Sequence, residues 1–237
     1  MLHKKFIRFL TLPLLFAIIT AIIFAKDDEV LFTLAQSDFT TDSTTLIIDP
    51  GHGGLDGGAV SASGQKESEL NLAISQKLYD ISRFFGLSAV LTRNSEEIDY
   101  TDETATIREK KRWDTTRRVS MINEIPSSIL ISIHQNNYPD PRPSGYQVFY
   151  NRVPDSEVLA NYAHMLLQQS LYPENRRLAA PISEKIYLMN HAKCPAILVE
   201  CGFLSNPNEA AQLSESTYQR TIAAILFASY LQFLSCR

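Results

Sequence analysis

Three short apolar runs, each closed by one polar residue, constrain this chain more than any other feature. Leu46-Ile47-Ile48 stops at Asp49-Pro50 and delivers His52 into a turn containing Gly51, Gly53, Gly54, Gly57 and Gly58. Ile129-Leu130-Ile131-Ser132-Ile133 ends on His134, and Ala196-Ile197-Leu198-Val199 ends on Glu200. Runs this short suit buried strands and are too brief for helices. Pro50 has no N–H for a sheet ladder, and the glycines allow backbone angles that a side chain forbids. His52 is therefore expected just beyond the carboxyl end of a strand, where open α/β sheets keep their sites. Three polar residues at three strand ends point to one metal-centred site.

The segments between these runs fill out an α/β pattern. Residues 67–85 place Leu70, Ile74, Leu78 and Ile81 at helical spacing, with Gly86 as the stop. Residues 87–92 predict a second strand, and residues 95–106 a surface loop. Residues 108–123 predict a helix with Trp113, Val119 and Ile122 on its buried side. Pro139, Pro141 and Pro143 keep residues 136–144 irregular, as a wall beside His134. Residues 146–150 alternate as a strand does, and residues 156–170 predict a helix with Val158, Leu159, Tyr162, Leu166 and Leu167 inward. Residues 186–189 read as a further strand and residues 217–234 as a closing helix. The expected fold is a single three-layer α/β sandwich, with about six strands in a mostly parallel or mixed sheet flanked by helices.

Lys4, Lys5 and Arg8 precede an apolar stretch at residues 9–25, the pattern of an export signal. Its length fits both a cleaved signal peptide and a retained membrane anchor, so residues 1–25 are expected to carry the chain's only membrane contact. No cysteine lies near Ala25, which argues against a lipid anchor there, and the polar residues 26–44 suit a tether to a catalytic unit at 45–237. The formal charge of −4 gives no reason to expect nucleic acid as a partner. The basic residues between Arg108 and Arg118 alternate with Glu109 and Asp114 and read as a solvated helix face. Cys194, Cys201 and Cys236 lack metal-type spacing, and the first two are expected as small core side chains.

Catalytic zinc takes three ligands from His and Asp or Glu and keeps a position for water. Among five histidines, His52 and His134 stand at strand ends; His3 and His164 do not, and His191 precedes a strand as a residue of the cleft wall. Glu67, Glu69 and Asp56 all qualify as the acidic third ligand. Residues two apart on a helix point about 200° away from each other, so only one of the two glutamates can face His52. The spacing does not choose among the three acids.

Four motifs in order carry a resemblance: Asp49-Pro50-Gly51-His52-Gly53-Gly54; Glu67 four before Asn71-Leu72; Ser132-Ile133-His134-Gln135-Asn136; and Val199-Glu200-Cys201-Gly202-Phe203-Leu204-Ser205-Asn206. From about residue 45 onward the chain resembles the zinc-dependent N-acetylmuramoyl-L-alanine amidases. The resemblance implies one zinc held by His52, Glu67 and His134, with Glu200 as the catalytic acid/base; Asn136, two residues past His134, is expected to orient a ligand or touch substrate. Cys201 stands where a threonine or aliphatic residue is expected, bringing a thiol close to that site. The substrate implied is peptidoglycan, cut at the amide joining muramic acid to L-alanine.

Only 66 residues separate His134 from Glu200, little room for the inhibitory helix of division amidases. A single domain behind an export segment, with His191-Ala192-Lys193-Cys194-Pro195 before the last strand, resembles the germination-specific amidases of endospore formers. That sub-type implies work on spore-cortex muramic-δ-lactam, and it leaves any accessory protein partner open. A general wall-lytic amidase and a non-catalytic wall-binding module are the alternatives. A nucleotide binder is disfavoured, because the glycine turn lacks a Walker lysine and the dinucleotide spacing.

Overall fold

The computed structural model describes residues 44–100 and 105–236. The export segment and most of the tether lie outside the described residues. Among those described, no helix is long and apolar enough to cross a membrane.

Strand β1 (Thr45–Pro50) is followed by helix α1 (Glu67–Phe84), β2 (Ala89–Leu91), α2 (Ile107–Glu124), β3 (Ser128–Asn136) and β4 (Gln147–Tyr150). Then come α3 (Ser156–Ser170), β5 (Ala180–Pro181), α4 (Tyr187–His191), β6 (Ala196–Phe203), α5 (Pro207–Ser214) and α6 (Ser216–Leu234). The six strands form one sheet in the order β2-β1-β3-β6-β4-β5. The β1–β2, β1–β3, β3–β6 and β4–β5 pairs are parallel, while β4 runs antiparallel to β6, so the sheet is mixed.

Both faces of the sheet are covered, which is why its central strands are apolar at successive positions. Leu46, Ile48, Ile129, Ile131, Ile133, Ile197 and Val199 pack with α1, α3 and α6. Ile47, Leu130, Ala196 and Leu198 join Val119, Ile122, Leu188 and Met189 of α2 and α4 on the other face. The three-layer expectation holds.

Local chemistry sets the helix ends. Thr106 and Glu109 form a reciprocal capping box at the start of α2, and Gly86, at φ +73°, ends α1 as its sequence position foretold. Asn206 caps α5 by accepting from Asn208 and Glu209 N–H, and Pro207 supplies the first helical residue.

Several side chains depart from the sequence pattern. The run at residues 186–189 enters a short helix, not a strand: Leu188 and Met189 are buried, whereas Ile186 and Tyr187 are 38% and 45% exposed. Four apolar residues carry too little period to distinguish the two. The sheet's sixth strand is instead the two-residue β5 at its edge, where Pro181 breaks no ladder. Helix α3 turns Leu159, Ala160, Ala163 and Leu167 inward and leaves Val158 46% exposed, because alanines let it lie close to α6. Trp113 is half-buried, with the Arg117 guanidinium 5.7 Å from its ring centroid. Arg118 is buried, so α2's charged stretch is not wholly a solvated face.

Candidate metal centre

Strand order brings the three polar ends together, since β1, β3 and β6 are adjacent and parallel. His134 and Glu200 are direct register partners, and Pro50, two residues before His52, pairs with Ile133. His52 itself lies in the left-handed region at φ +61°, uncommon for a residue with a side chain. Gly51 lets the two imidazoles approach: a Cβ there would lie 2.2 Å from His134 Cε1. The two rings sit 5.0 Å apart, inclined at 75°.

Glu67 opens α1, where the helix's positive end favours a carboxylate. Its Oε1 is 3.2 Å from His52 Nε2 and 3.1 Å from His134 Nδ1. Oε2 accepts from Ala59 N–H at 2.9 Å, and Oε1 accepts from Gln135 N–H at 3.1 Å. Gly58 leaves room for this carboxylate, since a Cβ there would stand 2.5 Å from Oε2. One turn on, Asn71 donates to Gly51 O at 3.1 Å and accepts from Gln135 Nε2 at 3.1 Å, tying the glycine turn, α1 and β3 together.

Of the three acids, Glu67 is the one whose carboxylate lies against both imidazoles. Glu69 is 47% exposed and pairs with Lys66. Asp56 instead reaches the far nitrogen of His52, Oδ2 to Nδ1 at 3.0 Å, an ion-pair approach outside hydrogen-bond alignment. Its Oδ1 meets Lys111 Nζ at 2.7 Å. A carboxylate on one ring nitrogen turns the other toward a metal and raises its basicity.

His52, Glu67 and His134 each offer one atom within 4.8 Å of the others, a set able to hold a metal ion. Ligands at tetrahedral zinc distances stand about 3.3 Å apart. The 3.2 and 3.1 Å separations match that spacing, and a nitrogen–oxygen donor set is one that zinc takes. Two imidazoles and one carboxylate therefore fit a catalytic zinc with a position left for water.

Charge in the cluster is strongly coupled. Burial works against a charged His52, yet Asp56 and Glu67 outweigh it and raise the imidazole to about 9. Burial likewise opposes ionisation of Glu67 and Asp56, and their histidine and lysine partners override it, holding both carboxyls well below the usual range. Glu200 behaves in the opposite way. Burial pushes its carboxyl up to about 7, opposed by the charges of His134 and His52 and reinforced by that of Glu67. Its Oε2 is buried without a hydrogen-bond partner among the described residues.

A cavity of about 280 Å³ opens over His52 and His134, walled by Tyr100, Lys111, Tyr187 and Met189. His191 stands behind this wall, stacked on Tyr187 at 3.9 Å, with its ring nitrogen 2.8 Å from Tyr187 O. Asn136 is half-buried, and its side-chain oxygen accepts from Asn137 N–H. Cys201 belongs to the apolar cluster on the α1 side, and burial drives its thiol far up. A wider cavity of about 530 Å³, between Ile122, Ser127 and Cys194, lies at the opposite end of the strands. Beneath the site are three groups that the sequence reading passed over, Asp49, Arg93 and Arg118. The only hint of them was that an acid closes β1, with one arginine just past β2 and another in α2.

The sequence pattern of the N-acetylmuramoyl-L-alanine amidases matches residues 46–229. The chain belongs to this family. The germination-specific N-acetylmuramoyl-L-alanine amidase of Bacillus subtilis strain 168 is 34% identical over 191 residues, 80% of this chain and 79% of that protein. The structure of the CwlD amidase from Clostridioides difficile, solved in complex with the GerS lipoprotein, superposes with a TM-score of 0.78. It is 33% identical and covers 81% of this chain and 99% of that one. The catalytic domain of CwlV from Bacillus (Paenibacillus) polymyxa var. colistinus gives 0.67 at 25% identity, covering 82% and 99%. The chain is an N-acetylmuramoyl-L-alanine amidase acting on peptidoglycan.

Proposed function

We propose that this amidase works through one zinc ion held by His52, Glu67 and His134, with Glu200 as its acid/base. The observation that carries this reading is the convergence of two imidazole nitrogens and one carboxylate oxygen within 4.8 Å, beside a carboxylate in register with His134. Zinc in such a site acts as a Lewis acid, lowering the pKa of water from about 16 to about 7 and polarising a carbonyl.

Glu200 takes the proton from water as the oxygen attacks the carbonyl joining the lactyl group of muramic acid to L-alanine. It then gives that proton to the alanine nitrogen as the C–N bond breaks, because an amide nitrogen leaves only when protonated. A carboxyl raised to about 7 by burial can both accept and return a proton near neutrality. Asp56 holds the His52 ring from its outer nitrogen, and Tyr187, backed by His191, walls the cleft. Asn136, just past His134, serves as a substrate contact.

The physiological setting follows the germination-specific relative: exported through residues 1–25, tethered by residues 26–44, residues 45–237 strip peptides from muramic acid on the way to cortex muramic-δ-lactam. A lipoprotein partner like that of the Clostridioides relative fits this setting. Metal analysis of the purified chain, paired with mass spectrometry of digested peptidoglycan, tests the chemistry. One zinc per chain is expected, with free muramoyl ends that vanish on chelation and return with added zinc. Full cleavage by zinc-free protein would refute it.

A further inference from the structure

The backbone carbonyls of Pro50, Gly51 and His52, which lead into and carry the metal-site imidazole, all accept from buried guanidiniums. Arg93 donates to Pro50 O at 3.0 Å, to Gly51 O at 3.0 Å and, across the turn, to Ser68 O at 2.8 Å. Arg118, with 4% of its side chain exposed, donates through one nitrogen to Asp49 Oδ1 at 3.1 Å and Pro50 O at 2.6 Å. Its other nitrogen reaches His52 O at 2.5 Å and Asp114 Oδ2 at 2.6 Å. Asp49 is fixed in turn by the Thr92 and Ser132 hydroxyls at 2.6 and 2.7 Å.

A residue with a side chain at φ +61° is strained and persists only where its surroundings impose it. Rotating the His52 peptide back to the common region would swing its carbonyl off Arg118 and its imidazole off Glu67. We infer that Arg118 is a positioning residue of the metal centre: its fork locks the His52 carbonyl, and through it aims His52 Nε2 at the oxygen shared with His134. A lysine cannot substitute, because a compact ammonium does not span two carbonyls and two carboxylates as a planar fork does.

The inference rests on the proposed zinc reading, and the test separates the two. Zinc affinity is measured on the purified chain by competition with a chromogenic chelator, for wild type, Arg118→Lys, Asp49→Asn/Arg118→Met, His52→Ala and His52→Ala/Arg118→Lys. The paired change removes Arg118 together with Asp49, and Asp114 keeps the Arg117 guanidinium at 3.1 Å, so no buried carboxylate is left without a cation. Wild type that binds no zinc refutes the zinc reading itself. With wild type binding, Arg118→Lys and the paired variant are expected to bind zinc about 10–100-fold more weakly, as outer-shell changes do. In the His52→Ala background, Arg118→Lys is expected to change affinity less than twofold, since the residue it aims is gone. Folded variants that bind within twofold of wild type would overturn the inference, as would an equal loss in the His52→Ala background. Failure of both Arg118 variants to fold would make the residue a fold determinant and overturn it as well.

Discussion

Replacing Gly51 by alanine adds a single methyl group at the tightest point of the site. An ideal Cβ there would stand 2.2 Å from His134 Cε1 and 2.3 Å from Nε2, where ordinary contact begins near 3.4 Å. About 1.2 Å must be found. The backbone cannot supply it, because Gly51 N–H donates to Ile133 O at 2.9 Å and Gly51 O accepts from Arg93 and Asn71 at 3.0 and 3.1 Å. The His134 ring must therefore move. Zinc tolerates ligand distances only within about 0.2 Å, so a ring displaced by more than an ångström ceases to be a ligand.

Misplacement on this scale is worth about 100-fold in rate, or about 2.7 kcal/mol of barrier. We expect Gly51→Ala to lose at least that in muropeptide cleavage and to bind zinc far more weakly. The matched control is Gly64→Ala, where φ is +87° but nothing lies within 4 Å. That change is expected to cost about 1 kcal/mol of stability and no activity. Chelator competition, mass spectrometry of digested peptidoglycan and thermal melting read the three quantities. A folded Gly51→Ala protein with zinc affinity and cleavage within threefold of wild type would refute the reasoning.

Glu200→Gln is expected to keep zinc at wild-type affinity and to lose muropeptide cleavage by about 10²–10⁴-fold; undiminished turnover would remove Glu200 from the mechanism. Asp49→Asn tests the charge beneath the turn by urea unfolding across pH. Burial opposes the Asp49 charge, but Arg118, Thr92 and Ser132 outweigh it and hold the folded-state pKa below 3.8. The unfolded chain therefore binds the extra proton first on acidification. The stability Asp49 contributes is complete above about pH 3.8 and is lost as pH falls from there through the folded value. The variant should be less stable at neutral pH and should lack that part of the acid slope; a parallel slope in both proteins would count against the assignment. Glu209→Ala removes the acceptor of Gly145 N–H and Phe203 N–H, both at 2.8 Å, and of the Tyr172 hydroxyl. Stranding two buried N–H groups should cost about 1–3 kcal/mol apiece, read from the urea midpoint.

What could be read from the sequence follows from how each element is buried. β1, β3 and β6 are covered on both faces, so their strands appear as unbroken apolar runs, and a polar residue ending such a run has few places to be except the sheet's rim. That ground alone singles out His52, His134 and Glu200 as candidates. It does not choose among Glu67, Glu69 and Asp56, which differ only in the path of the loop between β1 and α1, and a pattern of letters does not encode a path. The helix at Tyr187–His191 was missed for want of length. Arg118 shows a deeper limit. A guanidinium paired with Asp114 four residues earlier has the same signature on a wet helix face as in the interior. What separates the two cases is the company of two carbonyls and Asp49, all contributed from some seventy residues away, at separations of 66 to 69 positions. The strand-end candidates were legible because strand burial is a local pattern. The group we assign to aiming one of them was not, because the need for its charge is created only when β1 and α2 meet.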